Sequence, residues 1–160
     1  MTRFARIKTP VGTLLAIAEG ETLTGLYFEG GRHAPSASRE WSEDADFAPL
    51  KACAKQVADY LSGKRRDFDI ALSPSGTPFQ KRVWREIARI PFGKTITYAE
   101  LAKRAGSPGS ARAAGAATGR NPFSIIVPCH RVVGSSGSLT GYAGGLGRKA
   151  KLLRLEGISA

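Results

Sequence analysis

The local sequence pattern changes at Ser73-Pro74-Ser75-Gly76, and this change restricts the folds that the chain can adopt. Before it, short apolar stretches alternate with turn sequences, which is typical of a small β-meander. After it, apolar residues recur every three to four positions behind helix start signals. We therefore expect an α/β (α+β) protein that divides into residues 1–76 and residues 77–160.

The first part is predicted to be a small sheet with one helix. Strands are expected at residues 4–8, 13–18 and 22–28, with a further short strand at residues 68–72. Between Phe47 and Gly63 the apolar residues fall on one helical face that includes Cys53, for which packing is the expected role. Residues 32–46 are polar and are predicted to form a loop.

The second part contains two helices with the same start signal. Thr77-Pro78-Phe79-Gln80 combines a threonine N-cap, a proline in the first turn and a glutamine that can close a capping box. Thr97-Tyr98-Ala99-Glu100 repeats the capping pattern, and a further helix is expected from about Ser110 to Thr118 after a glycine-containing turn. The pair is typical of a helix-turn-helix. A last helix is expected at residues 148–156.

Arg112 is the one large side chain on the alanine-rich second helix of this pair. Such a thin helix can approach a nucleic-acid duplex closely, and Arg112 would then point at the duplex. The alternative is a helix packed tightly on the core, with Arg112 as an ordinary solvated cation.

The excess positive charge lies in the second part. Residues 1–76 carry 10 basic and 10 acidic side chains, whereas residues 77–160 carry 14 basic and 3 acidic ones, which accounts for the net charge of +11. A polyanion, nucleic acid first, is the expected partner, and a basic solubility surface is the alternative. The sequence shows no signal-peptide pattern and no apolar run that could span a membrane, so we expect a cytoplasmic protein.

The most reactive stretch is Ile125-Ile126-Val127-Pro128-Cys129-His130-Arg131-Val132-Val133. Its apolar start is predicted to be a strand that ends at Pro128, which would place Cys129 at a turn. A thiol with the free pKa of about 8.5 needs a base or a cation to form thiolate near neutrality, and His130 and Arg131 stand next to it. The alternative is a buried cysteine beside a histidine without chemical function. The irregularly spaced Cys and His residues predict no metal site.

Pro128-Cys129-His130-Arg131-Val132, preceded by Arg120-Asn121-Pro122 and followed by Gly144-Gly145-Leu146, resembles the active-site signature of the O6-alkylguanine-DNA alkyltransferases, the methylated-DNA–protein-cysteine methyltransferases. The resemblance runs with matching spacing from about Thr77 to the end. Further matching positions include Phe79-Gln80, Val83-Trp84, Tyr98, Arg112 and Glu156-Gly157.

The resemblance implies a ribonuclease H-like first lobe and a mainly helical second lobe with a winged helix-turn-helix. It implies DNA repair by direct reversal, without a cofactor, by a monomer. An alkyl group on O6 of guanine in duplex DNA, and also on O4 of thymine, would pass irreversibly to Cys129 after the base is flipped out from the minor groove. Some members of the family carry an N-terminal zinc site, for which this sequence lacks the ligands.

The resemblance also assigns catalytic roles. Cys129 would be the nucleophile, His130 the base that takes the thiol proton through a water, and Glu156 the acid that orients the imidazole. Tyr98 would protonate or hydrogen-bond the leaving guanine, and Asn121 would brace the turn next to the cysteine.

Further positions match DNA and substrate contacts. Arg112 would fill the gap left by the extruded nucleotide. Contacts to DNA are expected at Tyr98, Gln80, Ala99, Ser107 and Ser135, and substrate-pocket positions are Tyr142, Ala143, Val132 and Ser124. Ala143 stands where relatives have serine, which leaves only a backbone N–H near the guanine oxygen. Ser124 replaces a proline of some relatives and is expected to open the pocket to bulkier alkyl groups.

Two other functions remain open. A non-catalytic sensor of alkylated DNA would use the same scaffold but lack the cysteine, and Cys129 is present. A cysteine hydrolase would use Cys129, His130 and Glu156 with turnover, but this gives no reason for the basic second half.

Overall fold

The computed structural model describes residues 1–159. Its first half is built on an antiparallel meander of β1 (Thr2–Thr9), β2 (Gly12–Glu19) and β3 (Thr22–Phe28), and β4 (Ser42–Glu43) pairs in parallel with β1, giving the strand order β3-β2-β1-β4. Helix α1 (Ala48–Leu61) packs against this sheet. The three predicted strands and the first helix are confirmed.

The sheet is covered on both faces. Leu14, Ala16 and Ala18 of β2 lie in the main core together with Cys53 and Val57 of α1. On the opposite face a small cluster of Phe4, Leu15 and Ile17 is covered by residues that include Trp41. Trp41 directly precedes β4, the short strand that interrupts the loop predicted at residues 32–46. Because both faces are covered, β2 is buried along most of its length.

The strand predicted at residues 68–72 is wrong. The chain there makes only an isolated bridge, in which Leu23 N donates to Ala71 O at 2.9 Å and Ser73 N donates to Leu23 O at 2.9 Å. Gln56 of α1 also binds the backbone of Asp69: its Nε2 donates to Asp69 O at 3.1 Å, and its Oε1 accepts from Asp69 N at 2.8 Å. The segment is therefore bonded to β3 at one bridge and to α1 through Gln56, and it does not form a regular strand.

The second half is helical, as predicted. It comprises α2 (Pro78–Ala88), β5 (Ile96–Thr97), α3 (Tyr98–Arg104), α4 (Ala111–Gly119), β6 (Val132–Val133) and α5 (Leu146–Leu155). Thr77 and Gln80 close the expected capping box, and Thr97 Oγ1 accepts from Glu100 N at 3.1 Å. Gly106 and Gly109 turn the chain between α3 and α4 with φ of +85° and +86°.

Two short strands fix the second half around the reactive stretch. β5 pairs in parallel with β6, with Ile96 opposite Val132 and Thr97 opposite Val133. The first residue of α3, Tyr98, is thereby held beside the segment that follows Cys129. The main hydrophobic core runs through both halves, and the mixed α/β class is confirmed.

The division of the chain into two domains at residue 76 stays a prediction.

No helix within residues 1–159 is long and apolar enough to cross a membrane.

Candidate active site

A tight turn leads into Cys129, so the strand predicted at residues 125–127 is wrong. β3 is extended by one bridge only, in which Leu26 N donates to Pro122 O at 2.7 Å and Ser124 N donates to Leu26 O at 2.8 Å. Ile125 then reverses the chain with φ +72°, a conformation that strains a β-branched residue. Its side chain is 1% exposed, so burial holds it there.

Asn121 lies inside this turn and binds both of its ends. Its Nδ2 donates to Phe123 O at 3.2 Å and to Val127 O at 2.8 Å, and its Oδ1 accepts from Phe123 N at 3.0 Å. One buried amide therefore replaces the sheet hydrogen bonds that the turn cannot make.

Cys129 opens a short 3-10 turn over residues 129–131 and is 6% exposed. It lines a cavity of about 390 Å³ between α4 and the loop that contains Tyr142. Burial raises the pKa of the Cys129 thiol, while the Asn121 amide and the Lys149 cation act in the opposite direction. The thiol therefore lies in an interior that contains groups able to stabilise a thiolate.

His130, the next residue in the chain, forms a buried pair with Glu156. His130 Nε2 lies 2.7 Å from Glu156 Oε2, and both side chains are fully buried. Burial alone would raise the pKa of Glu156, but hydrogen bonds from His130 and Arg131 outweigh it and hold that pKa well below its ordinary range. Glu156 is thus an ionised acceptor, and His130 Nε2 carries the hydrogen.

The remaining ring nitrogen of His130 is the basic atom. Burial lowers the pKa of His130, so the ring is neutral near pH 7 and Nδ1 keeps a free lone pair. Nδ1 is buried, and within residues 1–159 it has no hydrogen-bond partner. This arrangement suits a base that takes a proton from a neighbouring acid.

Arg131 and Gly93 hold the other side of Glu156. Arg131 Nε donates to Oε1 at 2.8 Å, its Nη2 donates to Oε2 at 2.9 Å, and its Nη1 donates to Ile90 O at 2.6 Å. Gly93 N donates to Oε1 at 3.0 Å. The sequence reasoning took Arg131 as a cation beside the thiol, whereas in the structure its guanidinium binds the Glu156 carboxylate.

Tyr60 of α1 also reaches this pair, and the sequence reasoning missed it. Its Oη lies 2.5 Å from Glu156 Oε2 and 3.3 Å from His130 Nε2. On the apolar face of α1 a tyrosine looks like any packing residue, and no local signal distinguishes it.

Lys149 is a further residue that the sequence did not single out. It is fully buried, and its Nζ donates to Val132 O at 2.6 Å, to Thr140 O at 2.8 Å and to Gly141 O at 3.2 Å. Burial lowers its pKa to about 8. Lys149 ties α5 to the loop that walls the cavity and places a cation near Cys129.

The predicted pocket residues are only partly brought together. Tyr142 and Ala143 line the Cys129 cavity, and Tyr142 Oη is buried without a hydrogen-bond partner in the described part of the chain. Val132 is buried outside this lining, with its carbonyl bonded to Lys149. Ser124 lines a neighbouring cavity of about 390 Å³ instead. Residues shared by the two cavities are Arg32, His33, Gly119, Arg120 and Ala143.

Of the two residues expected at the leaving base and at the DNA, Tyr98 lines the cavity and Arg112 lies outside its lining. The Tyr98 hydroxyl donates to Thr140 O at 3.0 Å. Arg112 is exposed on α4, one helical turn before Gly115 and Ala116, which line the cavity. Residues one turn apart share a helix face, so Arg112 lies on the side of α4 that faces the opening. Of the other predicted DNA contacts, Ala99 and Ser135 are exposed, Ser107 is half-buried, and Gln80 is engaged in the capping box.

Two family models match the chain. The ribonuclease-like domain of 6-O-methylguanine DNA methyltransferase matches residues 2–74, and the DNA binding domain matches residues 78–158. The ribonuclease-like first lobe expected from the resemblance is thus confirmed.

Known proteins agree with this match over nearly the whole length. A methylated-DNA–protein-cysteine methyltransferase of Methanosarcina acetivorans is 43% identical over 154 residues, which is 96% of this chain and 97% of the relative. A protein of the same name from Mycobacterium bovis is 43% identical over 156 residues, 98% of this chain and 93% of the relative.

Solved structures give the same result. The crystal structure of Mycobacterium tuberculosis O6-methylguanine methyltransferase is 42% identical with a TM-score of 0.87, covering 98% of this chain and 93% of that one. The structure of Mycobacterium tuberculosis OGT in complex with DNA gives a TM-score of 0.88 at 42% identity, over 96% of this chain and 92% of that one. The chain therefore belongs to the 6-O-methylguanine DNA methyltransferase family, the methylated-DNA–protein-cysteine methyltransferases, which repair DNA by methyl transfer.

Proposed function

We propose that the chain transfers an alkyl group from O6 of guanine in duplex DNA to Sγ of Cys129, and that each molecule reacts once. The observation that carries this proposal is the position of Cys129 at a cavity, directly followed by a neutral His130 whose Nε2 is bonded to Glu156 and whose Nδ1 is free. A thiol at an open cavity with a base beside it is suited to nucleophilic attack.

The reaction moves one proton and one alkyl group. The thiol proton passes through a water to His130 Nδ1, and Glu156 stabilises the imidazolium that forms. The thiolate attacks the alkyl carbon, the bond from that carbon to O6 breaks, and its electron pair leaves with the guanine. Burial raises the pKa of Tyr98, so its hydroxyl stays protonated. Its hydrogen, which is donated to Thr140 O in the structure, turns to the leaving base. The product is a thioether, which water does not hydrolyse readily.

The lesion must leave the base stack before it can reach Cys129. Helix α4 enters the minor groove, and Arg112 takes the place of the extruded nucleotide. Residues 77–160 carry 14 basic and only 3 acidic side chains, which supports binding to the phosphate backbone. Backbone contacts are proposed at Gln80, Ala99, Ser107 and Ser135, and alkyl groups on O4 of thymine are a second substrate. The protein acts as a monomer.

The neighbouring cavity gives Ser124 a role in accepting bulkier alkyl groups. It shares lining residues with the Cys129 cavity and is therefore adjacent to it, which supports the proposal that a longer alkyl group reaches towards Ser124. In a Ser124→Pro variant the rate on benzylated guanine free base should fall relative to the rate on methylated guanine. An unchanged ratio would remove Ser124 from the pocket.

The test is the mass of the intact protein after incubation with alkylated duplex DNA. We expect one alkyl increment on Cys129, at one equivalent per molecule, and no increment in Cys129→Ala. Binding to the DNA without an increment would identify a lesion sensor. Repeated turnover on an acyl substrate would identify a cysteine hydrolase.

A further inference from the structure

We propose that Tyr60 is a positioning residue through which the first lobe tunes the His130–Glu156 pair. This inference rests on the proposed function only in giving that pair a task in the transfer reaction. The hydrogen bonds themselves are a property of the fold.

Tyr60 is held rigidly between the two lobes. It lies in the last turn of α1 and is 1% exposed. Its ring packs against Phe68 of the first lobe at a centroid distance of 5.6 Å and against Phe92 of the second lobe at 6.2 Å. Glu156 and His130 both belong to the second lobe, so the hydroxyl reaches the pair from the opposite side of the interface.

The single phenolic hydrogen points at Glu156. Burial raises the pKa of Tyr60, so the phenol stays protonated, and Glu156 is ionised and can only accept. Glu156 Oε2 therefore accepts from Tyr60 Oη, from His130 Nε2 and from Arg131 Nη2. The contact between Tyr60 Oη and His130 Nε2 brings two donors to the same oxygen and is not a bond between them.

Three donors on one oxygen weaken the support that Glu156 gives to an imidazolium. Each donor draws negative charge from the carboxylate, so less of it remains to stabilise a proton on His130. Removing the Tyr60 hydroxyl should make Glu156 a stronger acceptor and His130 a stronger base. The charged and titratable groups that face His130 are Glu156, Arg131, Lys149, Tyr60 and the adjacent Cys129.

The direct test is the titration of the His130 ring by ¹⁵N NMR in Tyr60→Phe. The chain contains 2 histidines, so the two ring signals can be assigned with one further variant, His33→Gln. Phenylalanine keeps the ring and its packing and removes only the hydroxyl. We expect the midpoint of the His130 titration to rise by on the order of half a pH unit to one unit.

Transfer to Cys129 supplies the second readout. The rate of alkyl transfer from duplex DNA should show an acid limb whose midpoint rises by the same amount, while the plateau at higher pH does not fall. Tyr27→Phe is the matched control, because it removes the phenol of a half-buried tyrosine on β3 that makes no contact with Glu156 or His130 within residues 1–159. Its midpoints should equal those of the wild type.

A purely structural role predicts a different result. Tyr60→Phe would then lower the thermal midpoint or the rate at every pH, with the His130 titration unmoved, and this would overturn the proposal. If Tyr60→Phe does not fold, replacing Tyr60 by 3-fluorotyrosine gives a stronger donor, and the midpoint must then fall. A shifted titration without alkyl transfer in any variant would refute the proposed function and leave the role of Tyr60 standing.

Discussion

The surroundings of the two cysteines show what burial does to a thiol and what neighbours add. Cys53 lies on the buried face of α1, fully enclosed by the main core, and burial raises its pKa to about 12. Cys129 is almost as deeply buried, and burial raises its pKa too. Only the second thiol has an amide and an ammonium group that oppose the shift. Burial by itself thus gives an inert thiol, and a nucleophile needs polar neighbours inside the same core.

The two cysteines also differ in whether a cavity reaches them. Cys129 lines a cavity of about 390 Å³ that is bounded by α4, Tyr98 and the 141–143 loop. The turn before it is strained at Ile125 and fastened by Asn121, whereas Cys53 occupies a regular helix. Strain and buried polar groups are concentrated around one thiol, which is where function can offset their cost in stability.

The largest expected effect is the loss of alkyl transfer when Cys129, but not Cys53, is replaced by alanine. Cys129→Ala should abolish the mass increment from alkylated duplex DNA completely, because no other thiol is both exposed to the cavity and supported by a base. Cys53→Ala should keep one full equivalent per molecule. Intact mass measured at saturating DNA checks both variants.

Loss of the increment in Cys53→Ala would break the comparison, provided that the variant is folded. Removing a buried sulfur leaves a small cavity that costs on the order of 1 kcal/mol, so a thermal unfolding curve accompanies the assay. An increment on Cys53 in the Cys129→Ala variant would contradict the claim that burial makes that thiol inert.

The second effect concerns access from DNA rather than the thiol itself. Arg112→Ala should slow transfer from duplex DNA by roughly 10- to 100-fold, since an unstacked base leaves a gap worth a few kcal/mol. Reaction with an alkylated guanine free base should change less than about 2-fold. The exposed first-lobe cation Lys51 gives a control, Lys51→Ala, expected to alter neither rate. Equal losses on duplex and free base would mean that Arg112 does not act in flipping.

How much of this the sequence could predict depends on how local the signal is. The helix starts at Thr77 and Thr97 were predictable because the capping threonine and the backbone N–H that it binds lie within four residues. The turn at residues 125–127 was not, because apolar β-branched residues favour a strand and only the buried Asn121 amide decides otherwise.

Tertiary contacts hid the rest of the site. Tyr60 and Glu156 are separated by 96 residues and meet only in the folded chain. Lys149 sits on a helix with several other basic residues, and nothing local shows that its ammonium group turns inward to three carbonyls. Cys129 and His130 stood out from their own chemistry and Glu156 from the resemblance, whereas the groups that contact them become visible only through packing.

The third effect is on acid stability, to which the buried Glu156 carboxylate of the Cys129 region should contribute. Because the pKa of Glu156 is depressed in the folded state, its contribution is fully present above the ordinary value of about 4.3 and is lost as pH falls below it. Unfolding free energy should therefore drop with a slope of about 1.4 kcal/mol per pH unit from this group. Urea titrations at pH 5, 4 and 3 measure the slope.

Glu156→Gln should be less stable at pH 7, since Arg131 loses its buried partner, but it should lack this part of the slope. Glu21→Gln, an exposed glutamate of the first half, should keep the wild-type slope. If Glu156→Gln and the wild type lose stability in parallel below pH 4.3, the carboxylate is not the acid-sensitive group.

The smallest effect isolates the cation that distinguishes the two thiols. Lys149→Met keeps an apolar stem of similar length in α5 and removes the charge near Cys129, so the pKa of the Cys129 thiol should rise. At the effective dielectric of a protein interior the pKa of the thiol should rise by on the order of half a pH unit to one unit.

The measurement is the pH dependence of iodoacetamide labelling, followed by peptide mass at each cysteine. Lys151→Met is the exposed control on the same helix. The variant also removes the ammonium hydrogen bonds to the carbonyls of Val132, Thr140 and Gly141. A cavity wall loosened in this way would raise the labelling rate at every pH without moving the midpoint. A moved midpoint at Cys129, with Cys53 unlabelled throughout, is the result that only an electrostatic role of Lys149 explains.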